Sequence, residues 1–202
     1  ALLLIPIAMQ SRSDANMQTR RDTLSAEHVT AGDKALKEGE YLIAEKAYGQ
    51  ALGLTPINST ARTGLYRSQA TRIVRSRETI NRNDAINLLY RFKGRATADP
   101  DYAETYAIAL GNIHVALGQA KSAGKAFLAA TKSKKPSALA WNAHGGFSLT
   151  QTKLDEAYKA FQSALKIDKK NSTARLGLGM VLKRQKKYKQ AAAEIGEAVK
   201  NM

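Results

Sequence analysis

The chain has 202 residues, 44% of them hydrophobic and 24% charged, which fits one helical domain with a sizeable core. It contains no cysteine, which excludes disulfides, thiolate metal sites and cysteine nucleophiles. Its net charge of +15 is uneven: residues 1–120 hold 15 basic and 12 acidic side chains, residues 121–202 hold 17 and 5, so the C-terminal part carries the field.

Residues 1–9 form an apolar run followed by a polar stretch to Asp22. Nine residues are too few to cross a bilayer as a helix, which takes about 20. The run reads as the tail of a secretory signal or membrane anchor, as an apolar plug for a partner, or as an extra packing segment. The first is favoured, because an apolar start followed by a polar linker fits a segment outside the core. Residues 1–24 are therefore expected to lie apart from the rest, and the protein is expected in the bacterial cell envelope, periplasmic or membrane-associated.

From residue 25 onward one pattern recurs. Gly32, Gly111, Gly145 and Gly179 are separated by 79, 34 and 34 positions, the first interval being one unit of 34 and one of 45. Twelve positions after each glycine comes an alanine (Ala44, Ala123, Ala157, Ala191), and four later a bulky residue (Tyr48, Phe127, Phe161, Ile195). Small residues let two helices cross closely and the bulky one fills the gap beside the crossing. One such hairpin cannot bury its stripe alone, so copies must stack. The expected units are 25–58, 59–103, 104–137, 138–171 and 172–202, with Pro56, Pro100 and Pro136 at unit ends. The 59–103 unit is irregular. Its polar stretch from Arg75 to Asn83, with Arg77 and Arg82, is expected to be a lengthened helix or an enlarged turn, either a harmless extension or a mark of a binding face.

In the copy at 138–171, Trp141, His144-Gly145, Leu154, Ala157, Phe161 and Ala164 resemble the tetratricopeptide repeat. The same series appears with Leu110-Gly111, Ala31-Gly32 and Leu178-Gly179, while His144 and Lys169 depart from the family's leucine and proline. The resemblance implies an all-α fold, a right-handed α-solenoid of stacked hairpins. It also implies a concave groove for an extended peptide or amphipathic helix, formed by Val29, Asp33, Leu36, Ile108, Asn112, Val115, Leu139, Asn142, Leu149, Leu176 and Met180. Some relatives grip carboxylates of chaperones with lysine, asparagine and arginine. Here Ile108 and Ala143 stand where lysine and asparagine are needed, so that role is not expected. The expected function is a non-catalytic scaffold with protein or peptide partners. In layout the chain is similar to repeat lipoproteins and pilotins that help assemble bacterial pili or secretin channels, although no lipid-bearing cysteine is present.

Lys183, Arg184, Lys186, Lys187 and Lys189 cluster on the last hairpin, and Lys132, Lys134 and Lys135 on one turn. Such clusters attract anions, so the alternative function is a basic module for anionic lipid or nucleic acid. Specific nucleic-acid binding is disfavoured, because the aromatic residues sit at packing positions instead of interleaving with the lysines. His28, His114 and His144 have no metal-ligand spacing, although His114 and His144 lie on adjacent first helices. No phosphate loop or nucleophile motif is present, so neither catalysis nor a cofactor is expected. Around Leu182, Ile195 and Val199 the last unit lacks an evident polar cap, which suggests a second copy or a partner there.

Overall fold

The computed structural model describes residues 7–76 and 79–201, with 7–12 as backbone only. Most of the apolar run, along with Arg77, lies outside the described residues. These residues form helices α1 (Ile7–Glu38), α2 (Tyr41–Leu54), α3 (Ser59–Arg75), α4 (Arg82–Phe92), α5 (Arg95–Ala98), a 3-10 turn (Pro100–Tyr102), α6 (Ala103–Ala116), α7 (Ala120–Ala130), α8 (Ala138–Thr150), α9 (Leu154–Ile167), α10 (Ser172–Arg184) and α11 (Tyr188–Lys200). No strand occurs among them, and the fold is an all-α solenoid of tetratricopeptide type. None of the helices is long and apolar enough to cross a membrane.

Two bodies divide the chain, Ala1–Arg75 and Ser76–Met202. In the first, α1 packs on α2, and α2 on α3. Residues 7–31 contain neither glycine nor proline, so α1, described from Ile7, runs without a break through the expected linker. Residues 13–24 are exposed, and packing begins at the buried Ser25. Its hydroxyl donates to the Ala51 carbonyl (3.1 Å) and accepts from the Asn58 amide (3.1 Å). Asn58 in turn accepts from the Ala61 N–H (3.0 Å), capping α3. Ala35, Ala44 and Tyr48 form the centre of this body, flanked by Val29, Leu36 and Leu65. The irregular 59–103 unit is divided: α3 belongs to the first body and α4 to the second, with α3 ending at Arg75.

The second body stacks three hairpins, α6/α7, α8/α9 and α10/α11, with α4 and α5 packed on α6. Phe92 and Tyr106 are fully buried with ring centroids 5.6 Å apart, joining α4 to α6. Each first helix also ties down the cap of the next. Glu104 accepts from the Ser137 N–H (2.8 Å), and Asn142 donates to Asn171 (2.9 Å); Ser137 caps α8 and Asn171 caps α10. The turns inside the hairpins share one left-handed residue, at Gly39, Gly118, Thr152 and Lys186, with φ of 83°, 72°, 61° and 61°. Glycine takes that conformation without cost, so two hairpins carry it.

The repeated glycines face the repeated bulky residues. A Cβ on Gly32 would stand 2.7 Å from Tyr48, and one on Gly179 2.6 Å from Ile195. Gly111 is closed off in the same way by Phe127, and Gly145 by Phe161. Two further glycines do the same from the following helix: Gly64 lies against Tyr48, and Gly177 against Phe161. Each of these two rings is therefore clamped between two side-chain-free backbones.

Candidate functional site

The expected groove residues divide into packed and open ones. In the first body Val29 and Leu36 are half-buried against the Tyr48 cluster, and the exposed Asp33 accepts from the Tyr48 hydroxyl (2.6 Å). Asp33 and Leu36, but not Val29, border a polar cavity of 300 Å³ shared with Thr63 and Arg67. In the second body Ile108 and Leu149 are 3% and 6% exposed. They are core rather than groove: both are buried, and Leu149 packs in the cluster of Phe161, Leu178 and Leu182. Val115, Leu139 and Met180 are open to solvent, and Asn112, Asn142 and Leu176 are half-buried.

A mostly apolar cavity of 460 Å³ in the second body opens between the end of α6, the start of α7 and the face of α8. Phe127, Ala143 and Phe147 line it, with Asn112, Val115 and Thr150 also on its walls. The two phenylalanine rings lie 5.2 Å apart at a 38° tilt. Sixteen positions after Tyr48 and Phe161 stand Gly64 and Gly177, each against the ring, whereas sixteen after Phe127 stands Ala143, whose methyl shares the cavity wall with that ring. In keeping with this, α8 packs less closely on α7 than α10 does on α9.

The basic cluster of the last hairpin is exposed at all five positions, and none of its side chains forms an ion pair among the described residues. Arg184 has a structural duty that its charge did not reveal. Its guanidinium donates to the Leu149 carbonyl (2.8 Å) at the end of α8, which also accepts from the Thr152 N–H (3.1 Å). At the last hairpin's outer side Leu182 is buried, Ile195 half-buried, and Tyr188 and Val199 are about two-thirds exposed.

His144 stands where the repeat has leucine, and it is buried. Its Nε2 donates to Glu156 Oε1 (3.1 Å), which also accepts from the Ser148 hydroxyl (3.0 Å), while its Nδ1 is buried without a partner. Serine therefore serves the carboxylate and not the imidazole, which is not the arrangement of an activated nucleophile. His114 pairs with Gln119 (2.7 Å), and no three potential ligands converge on a metal position among the described residues.

Burial pushes the His144 pKa below its usual 6.5, with Glu156 opposing and Lys153 reinforcing the shift. The folded chain then holds this imidazole neutral where the unfolded chain takes up a proton. Stability is retained above pH 6.5 and declines as the pH falls through that value. His144→Leu restores the repeat's usual residue and removes the unpartnered nitrogen. Urea unfolding should show a gain of about 1–3 kcal/mol at pH 5.5 and a smaller one at pH 7.5. Equal gains at both pH values would contradict the account.

Two models described as "Tetratricopeptide repeat" match residues 148–201 and 108–172. No curated protein matches the chain in sequence. Among solved structures it is similar to PilF of Pseudomonas aeruginosa, at 15% identity and a TM-score of 0.64 over 90% of this chain and 78% of that one. Similar too is MamA from Desulfovibrio magneticus RS-1, at 15% identity and 0.63 over 88% and 94%. A third is YrrB, described as "a TPR protein with an unusual peptide-binding site", at 17% identity and 0.60 over 94% and 91%. At such identities the likeness concerns the fold.

Proposed function

The chain belongs to the tetratricopeptide-repeat family, and from that premise we propose that it is a non-catalytic scaffold whose second body holds an extended polypeptide along α6, α8 and α10. The open cavity between Phe127 and Phe147 carries this reading, because concave, mostly apolar pockets with a few polar groups on the wall are where such ligands bind. Val115 beside it and Met180 further along supply exposed apolar anchors, and Asn112 can hydrogen-bond a backbone. A role as an assembly factor of the bacterial cell envelope, of the pilus or secretin kind, belongs to the same proposal. Its support is the apolar run at residues 1–9 and the layout that follows. The rival reading, a module for anionic lipid or nucleic acid, draws on the exposed lysines of the last hairpin.

Binding of a peptide library to the purified chain, compared with Val115→Glu and Met180→Glu, separates the two. Both positions are exposed, so both variants keep their helicity. Loss of binding of about tenfold or more in either variant supports the groove. Retention of every ligand in both variants, with loss instead on reversing Lys183, Lys186, Lys187 and Lys189 to glutamate, overturns it in favour of the electrostatic module.

A further inference from the structure

Behind the wall of the apolar cavity lies a second one, of 320 Å³, between α7 and the start of α9. The two share Ala120, Phe147 and Gln151, so Phe147 is a common wall between them. The second cavity has a different chemistry. Lys121 and Lys125 project from α7 on one side and Lys153 from the start of α9 on the other. Lys121 and Lys125 are exposed and form no ion pair among the described residues. The one carboxylate there, Glu156, is already engaged by His144 at 3.1 Å, Ser148 at 3.0 Å and Lys153 at 3.5 Å. The cavity is thus positive with its internal anion committed, in the part of the chain where basic side chains outnumber acidic ones 17 to 5.

We infer that the paired cavities form one recognition site for an acidic peptide segment, a bulky apolar side chain entering between Phe127 and Phe147 and an aspartate or glutamate a few residues away meeting Lys121 and Lys125. This rests on the groove reading above and adds the sign and order of the partner's chemistry. The apolar cavity supplies the affinity, since it is large enough for an aromatic side chain and the backbone beside it. The lysines supply selection, because an acidic segment is attracted while a basic one is repelled. Neither lysine lies on the first-helix face from which the groove was expected. Both line the second cavity, which shares the Phe147 ring with the apolar one.

Fluorescence anisotropy of labelled ten-residue peptides tests the inference. The probe has one phenylalanine and three glutamates in a glycine-serine background; the controls replace phenylalanine by serine, or the glutamates by glutamine. The expected result is binding of the probe, weakened about tenfold by either replacement and by Lys121→Glu with Lys125→Glu. Val115→Arg, on the wall of the apolar cavity only, weakens the glutamate and glutamine peptides alike. If the glutamine peptide binds as well as the probe and the lysine reversals change nothing, while Val115→Arg still abolishes binding, the acidic specificity is overturned and the groove survives. If no phenylalanine peptide binds at all, both fall. Competition by phosphatidylserine vesicles or single-stranded oligothymidine that displaces the probe through Lys121 and Lys125 would mark a general anion patch, and it overturns the inference as well.

Discussion

Phe161→Ala should lower the unfolding free energy by about 3–5 kcal/mol, read as a drop in the urea midpoint at unchanged slope. The size follows from what surrounds the ring. Phe161 is 3% exposed and sits between Gly145 of its own hairpin and Gly177 of the next. Neither neighbour has a side chain that could lean into the space, so the hole left by truncation stays open and the loss falls at the upper end of the range. Phe127→Ala makes the internal control. That ring also borders an open cavity, so part of its surroundings is already unfilled and α8 is free to settle toward it. A smaller loss for Phe127→Ala than for Phe161→Ala is expected, and the reverse order would refute the clamp.

The hairpin crossings were legible in the sequence because the glycine and the bulky residue of one hairpin keep a fixed separation of sixteen positions. Gly32 with Tyr48, Gly111 with Phe127, Gly145 with Phe161 and Gly179 with Ile195 all meet as that spacing requires. Gly64 and Gly177 carry no such signal within a hairpin, since their partners lie in the preceding one. The groove was less legible for a related reason. A helical periodicity assigns Ile108 and Val115 to one face, yet Ile108 is covered and Val115 is not, a difference made by tertiary packing that the periodicity does not carry. Arg184 is indistinguishable in sequence from the lysines around it, because charge alone does not separate a free cation from one bound to a carbonyl. Lys121 and Lys125 carried no motif. The readable signal near them is Ala143, sixteen positions after Phe127, where Gly64 and Gly177 stand sixteen after Tyr48 and Phe161.

Gly177→Leu should cost about 3 kcal/mol or more, even though leucine is the better helix former by nearly 1 kcal/mol. A Cβ at this position falls well inside van der Waals contact with the Phe161 ring, and the rest of the leucine side chain would need the volume the ring fills. The ring cannot retreat, because Gly145 on its far side is in contact with it: a Cβ there would lie 3.0 Å from the same ring. Relief must therefore come from separating α10 from α8 and α9, which exposes the cluster around Leu149, Ala164, Leu178 and Val181. The size swap makes this testable beyond a single loss. In a Phe161→Ala background Gly177→Leu fills the vacated space, so the double variant should be more stable than the sum of the two single losses predicts, with a coupling of about 1–3 kcal/mol. Simple additivity would mean that the two residues do not share the crossing. The same swap at Tyr48 and Gly64 carries a further cost, since removing that ring also removes the hydroxyl that donates to Asp33. Recovery there should be smaller, and the difference between the two swaps measures what the polar contact contributes to the first body.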